Sequence, residues 1–153
     1  MTYYFEDLEV GDTFTAGSYT VTKAEIIEFA EQFDPQPFHV DEEAARESLF
    51  GELVASGLHT LCISVRLFVT EFVRGEEGIA NMGGLGMDDL QWHRPVTPGD
   101  TLSLRIEVLE TSPSTSHSGR GYVDFERVIH TDDGERVLSL LSHNIVERRQ
   151  NGG

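Results

Sequence analysis

The sequence predicts an α+β domain in which a curved antiparallel sheet wraps one long helix. Three observations carry this expectation. Residues 56–73 form an apolar stretch of central-helix length, and residues 101–110 alternate apolar and polar side chains almost without fault. Two more strand-like runs, 121–131 and 136–147, flank the turn Asp132-Asp133-Gly134-Glu135. Strict alternation marks a half-buried antiparallel strand, and a helix followed by long strands is the order in which a sheet covers a helix. The chain has 153 residues, enough for one domain with a sizeable core. We take residues 1–149 as that domain and 150–153 as a disordered tail.

The elements follow in order. Glu9-Val10-Gly11-Asp12 reads as a turn, and Thr13-Phe14-Thr15 and Ser18-Tyr19-Thr20-Val21, broken by Gly17, as a short strand or two. Thr22 begins a helix as its cap, with Glu25 three residues on to complete a capping box. Ile26, Ile27, Phe29, Ala30 and Phe33 recur at helical spacing and give that helix a buried face. Asp34-Pro35-Gln36-Pro37 ends it, because two prolines remove donors and extend their predecessors. Asp41 caps a second, short helix over 41–46, whose acidic first turn suits the helix dipole, and Gly51 breaks it. Ser56 is the N-cap of the long helix. That helix is apolar over most of its circumference, which predicts enclosure on several sides, with Cys62 a small core residue. Gly83-Gly84-Leu85-Gly86 permits a bulge at a sheet edge, and no helix or Lys-Ser/Thr follows to make it a nucleotide loop. Pro98-Gly99-Asp100 turns the chain into the alternating strand, residues 112–118 form a polar loop, and a hairpin closes the domain.

Composition narrows the function classes. Asp plus Glu total 27 against 11 Lys plus Arg, for a formal net charge of −16. No basic patch exists to neutralise phosphates, so nucleic acid is not expected as a partner. Two readings stand for the charge: a high-salt cytoplasm that screens the self-repulsion, and an ordinary acidic enzyme. No apolar run is long enough to span a bilayer, so no membrane partner is expected. The N-terminus lacks a signal-peptide pattern, and a single cysteine forms no internal disulfide. A cytoplasmic location is the expectation. His93, His117, His130 and His143 are scattered without i, i+4 spacing, so no metal is expected.

Chemistry concentrates in two motifs. Phe33-Asp34-Pro35-Gln36-Pro37-Phe38-His39 offers a carboxylate and an imidazole five residues apart across a proline-stiffened turn. Ala55-Ser56-Gly57-Leu58-His59 places a glycine where the long helix begins. Ser56 lacks the Gly-x-Ser-x-Gly context of a nucleophile. The Asp-x-x-Pro-x-His spacing, the opening Phe5-Glu6-Asp7-Leu8-Glu9-Val10-Gly11-Asp12 and the turn Arg94-Pro95-Val96-x-Pro98-Gly99-Asp100 together resemble the MaoC-like dehydratase and R-specific enoyl-CoA hydratase (hydratase 2) family. The resemblance covers roughly residues 3–147.

The resemblance implies a single hot-dog fold that forms homodimers or higher homo-oligomers and binds an acyl-CoA thioester in a tunnel near the dimer interface. It further implies water addition to a trans-2-enoyl-CoA, or the reverse dehydration, in fatty acid metabolism. On this sequence it makes Asp34 and His39 the acid–base pair and Gly57 the backbone N–H donor to the thioester oxygen. Gln36, Phe38, Ser56 and His59 are the substrate-pocket candidates. No separate cofactor is implied, because coenzyme A enters with the substrate. The chain departs from the family pattern at Phe33, usually glycine, and at Gln36, usually asparagine. Two other functions compete, a hot-dog acyl-CoA thioesterase and a non-catalytic acyl-CoA-binding or partner subunit. Two readings also stand for His59, tunnel lining or structural histidine, and for Arg94, CoA phosphate contact or turn brace.

Overall fold

The computed structural model describes residues 1–150. Its five strands are β1 (Thr13–Thr20), β2 (Asn81–Trp92), β3 (Thr101–Pro113), β4 (Arg120–Thr131) and β5 (Arg136–Glu147). They form one antiparallel sheet in the order β1-β3-β4-β5-β2. Its helices are α1 (Lys23–Phe33), α2 (Pro37–Val40), α3 (Glu42–Arg46) and α4 (Gly57–Leu67), the last continuing through Phe68–Val73 as a π-helical stretch. The sheet covers α4, so the expected α+β hot-dog arrangement is the one present.

Alternation sets which face is buried. Leu102, Leu104, Ile106 and Val108 of β3 are enclosed, as are Val123, Phe125 and Ile129 of β4 and Leu138, Leu140 and Val146 of β5. They meet Ile63, Leu67, Phe68 and Phe72 from α4 and its extension. Phe68 packs on Phe125 with ring centroids 6.1 Å apart. Arg127, on that same buried face, lies with its guanidinium carbon 4.0 Å from the centre of the Phe68 ring. Its Nε and Nη1 have no hydrogen-bond partner among the described residues, and burial pushes its pKa down to about 10.

The structure corrects several local expectations. Thr22 caps α1, its Oγ1 accepting from the Glu25 N–H at 3.3 Å. Glu25 does not close a capping box; its carboxylate instead accepts from the Tyr19 hydroxyl at 2.8 Å. Phe33 is 65% exposed rather than part of the buried face of α1. α4 is not enclosed all round: Leu58, Cys62 and Val65 form an exposed stripe, so Cys62 is not a core residue. β3 extends through Pro113 into the segment expected as loop. The glycine-rich start of β2 does bulge, with register shifts at Asn81/Gly83 and Gly84/Gly86. Of the expected tail, residues 151–153 lie outside the described residues.

Candidate active site

The site is built where α1 ends and α4 begins. Asp34 closes α1 as its C-cap, its N–H donating to the Ala30 carbonyl at 2.8 Å. Pro37 then opens the one-turn helix α2, a position where its missing N–H costs nothing. That turn swings His39 back toward Asp34. The opposite wall is the buried segment 53–56. Its Val54 N–H donates to the Phe38 carbonyl at 3.4 Å, and its Ala55 N–H to the Val96 carbonyl at 2.8 Å.

Hydrogen bonds fix both side chains. Nδ1 of His39 lies 2.6 Å from the Val54 carbonyl oxygen. A carbonyl only accepts, so Nδ1 carries the hydrogen, and Nε2 of the neutral ring presents a lone pair. Nε2 lies 3.4 Å from Asp34 Oδ2. The Ser56 hydroxyl donates to that same Oδ2 at 2.7 Å, and the Gln36 amide donates to Oδ1 at 2.8 Å. Burial pushes the Asp34 carboxyl up, but the Ser56 and Gln36 hydrogen bonds outweigh it and hold the pKa below the ordinary value, and His39 adds to this only in its protonated form. Asp34 is therefore an acceptor at neutral pH. Two acceptors 3.4 Å apart can both sit about 2.8 Å from one water oxygen.

Ser56 acts twice. Its Oγ also accepts the Leu58 N–H at 3.2 Å as the N-cap of α4. Gly57 is the first residue of that helix, and among the described residues no acceptor meets its N–H. A side chain at Gly57 is excluded, because a Cβ there would lie 2.5 Å from the Trp92 ring.

Asp34, Gln36, Phe38, His39, Ser56 and Gly57 all line one cavity of about 340 Å³. Sequence reasoning missed the rest of its wall, chiefly Trp92, Phe50 and Thr60. Trp92 reaches the site from the end of β2, a sheet neighbourhood with no local signature. His59 lies outside this cavity. Its ring stacks on Phe29, centroids 4.6 Å apart, and Nε2 sits 3.9 Å from Glu25 in a separate cleft between α1 and α4. Burial pushes the His59 pKa down, against the charge of Glu25. Arg94 reaches the cavity edge, yet its guanidinium is engaged by Asp100 at 3.1 Å and Glu135 at 2.9 Å, which favours the turn-brace reading.

No helix among the described residues is long and apolar enough to cross a membrane. The MaoC like domain family model matches residues 7–127. A MaoC-like dehydratase from Rhodospirillum rubrum, known from its crystal structure, is 42% identical and superposes with a TM-score of 0.84, covering 97% of this chain and 99% of that one. Protein MaoC of Klebsiella aerogenes is 39% identical over 104 residues, 67% of this chain and 30% of that protein. The 3-hydroxybutyryl-CoA dehydratase of Methylorubrum extorquens is 30% identical over 112 residues, 72% of this chain and 66% of that one. The match thus spans under a third of Protein MaoC and just under two thirds of the 3-hydroxybutyryl-CoA dehydratase. With the family model spanning well over half of its length, the chain belongs to the MaoC-like dehydratase domain family.

Proposed function

We propose that this protein is a hydro-lyase that adds water to a trans-2-enoyl-CoA to give the (R)-3-hydroxyacyl-CoA, or runs the reverse dehydration. One observation carries the reading: the Asp34 carboxylate and the His39 Nε2, 3.4 Å apart, open into one cavity beside a helix-start N–H that meets no acceptor among the described residues. Water is a poor nucleophile and needs a base at the moment of attack. Asp34 Oδ2 and His39 Nε2 hold it between them. As its oxygen bonds to C3, its O–H bond breaks and the proton passes to the pair. The displaced electrons collect on the thioester oxygen as an enolate, which the Gly57 N–H stabilises. The pair then returns a proton to C2. Positioned acid–base groups contribute on the order of 10² to 10⁴ in rate, and one well-aimed oxyanion donor about 3 to 4 kcal/mol. The scheme calls for no cofactor beyond the coenzyme A of the substrate.

The same reading includes a homodimer. β2 is an edge strand whose Met82, Leu85 and Met87 are exposed, and the Leu58–Cys62–Val65 stripe of α4 is uncovered. An apolar, unpaired strand edge is a surface that proteins cover, and a second copy is the proposed cover. Light scattering at micromolar concentration is expected to give twice the chain mass; a monomer would count against it.

The decisive assay is loss of enoyl absorbance on mixing with crotonyl-CoA, extended to a panel of acyl lengths and run in dilute and molar salt. Asp34→Ala and His39→Ala should each lower turnover by roughly 10²-fold or more with the circular dichroism unchanged. Full activity in both variants would sink the assignment. Release of free CoA thiol would instead identify a thioesterase, and tight binding without turnover a non-catalytic subunit.

A further inference from the structure

Trp92 is the chain's one tryptophan and ends β2 at the rim of the cavity. Its indole Nε1–H donates to the Gly57 carbonyl at 2.9 Å. The contact is close along the whole ring edge, since a Cβ on Gly57 would lie 2.5 Å from Cε2 and 2.6 Å from Nε1. The next atoms of the same peptide unit are also held, because the Leu58 N–H donates to Ser56 Oγ. The Gly57–Leu58 peptide is therefore fixed at both ends, from the sheet by Trp92 and from the helix cap by Ser56.

That restraint matters because of the residue it acts on. The Gly57 N–H itself meets no acceptor among the described residues, and its peptide is held only from the far side, where the Ser56 carbonyl accepts the His59 and Thr60 N–H groups at 3.0 and 3.2 Å. Between that peptide and the next lie the glycine's own φ and ψ, the freest of any residue, and the Trp92 bond fixes the second side of that joint. On the reading that Gly57 receives the thioester oxygen, we propose that Trp92 is a positioning residue. It aims the Gly57 N–H by clamping the following peptide, and so acts on the rate of the chemical step more than on substrate affinity. The inference rests on the hydratase reading and adds to it a role for a side chain from the opposite edge of the sheet.

A second consequence gives an independent readout. The indole lines the cavity together with Leu58, Pro95 and Val96, so a thioester seated there changes the surroundings of the chain's sole indole fluorophore. Butyryl-CoA, which is saturated at C2–C3 and cannot be hydrated, is the probe.

The experiment compares three proteins: wild type, Trp92→Phe, and a variant carrying benzothienylalanine at position 92, which keeps the bicyclic shape and lacks only the N–H. Turnover of crotonyl-CoA, or of whichever enoyl-CoA wild type hydrates best, gives kcat and KM. Butyryl-CoA is expected to shift the wild-type emission saturably. In both variants kcat is expected to fall about ten- to hundredfold, the scale of a misaimed reacting group, with KM within about twofold. Unchanged kcat in the benzothienyl variant overturns the proposal, whatever Trp92→Phe does, because the ring would then serve as packing alone. A KM rise with constant kcat overturns it equally. If wild type hydrates no enoyl-CoA, the underlying function is wrong and the proposal falls with it, so the two failures are told apart by the wild-type measurement.

Discussion

Ser56→Ala tests the architecture of the site most sharply, because one hydroxyl serves both the fold and the carboxylate. Ser56 is fully buried. Its Oγ donates to Asp34 at 2.7 Å and accepts from the Leu58 N–H at 3.2 Å. Loss of a serine N-cap costs about 1 kcal/mol, and loss of a hydrogen bond to a charged group about 1.5 to 3 kcal/mol. Together they predict a destabilisation of roughly 2.5 to 4 kcal/mol at neutral pH, which in a chain of this size lowers Tm by roughly 5 to 15 °C. The pH dependence separates the two parts. The Ser56 bond helps hold the Asp34 pKa below its ordinary value. A depressed carboxylate contributes stability that is present above the unfolded pKa and is lost as pH falls through the folded one. The gap between wild type and Ser56→Ala should therefore narrow as pH drops into the carboxylate range, toward the cap contribution alone. The acid limb of the activity profile should move to higher pH in the variant, since Asp34 would protonate more readily. Thermal melts and initial rates over the same pH series measure both. A stability gap that stays constant with pH would refute the claim that Ser56 stabilises the ionised form of Asp34.

Three further outcomes can be checked. Arg127 is a buried guanidinium with two unpaired nitrogens and no carboxylate partner among the described residues, so Arg127→Met should leave Tm unchanged or raise it, by about 1 kcal/mol or more in stability; a large fall in Tm would reveal a partner for the charge. His143 is bonded through Nδ1 to Asp124 at 2.7 Å and through Nε2 to Asp88 at 2.6 Å, and these bonds, with Asp124 foremost, raise its pKa. Its contribution should be complete below an imidazole's ordinary pKa of about 6.5 and disappear as pH rises through the raised value, so the Tm difference between wild type and His143→Gln should shrink toward alkaline pH; a difference that grows would contradict the ion-pair assignment. With a net charge of −16, salt adaptation predicts that Tm rises steeply from about 0.1 M to molar salt, and a flat response would favour the ordinary acidic enzyme.

Much of this was legible before any coordinates. The alternation in β3 and the Asp-Gly turn between β4 and β5 act locally, so their strands and facing were readable from spacing alone. Asp34 and His39 were legible as a pair because two prolines hold the intervening turn to few shapes. α2 was not, since four residues opening on Pro37 look like extended chain. Position 59 lies one step round the helix from the residues that face the cavity, and the packing of Phe29 decided its direction. Cys62 misled for another reason: the exposed Leu58–Cys62–Val65 side of the helix is as apolar as the side buried in the core, so composition alone does not separate the two. Trp92 could not have been assigned at all, because it meets Gly57 across 35 residues of chain.

The first turn of α4 and the Asp34 carboxylate hang from the same Ser56 oxygen. Fraying at that helix start therefore frees Oδ2, the carboxylate oxygen that faces His39, while Gln36 keeps its hold on Oδ1 and no strand lets go. Helix ends open at lower free energy than sheet interiors. On warming, the proposed hydratase activity should fade while the five-stranded sheet still reads as native, and restoring it on cooling would require no refolding.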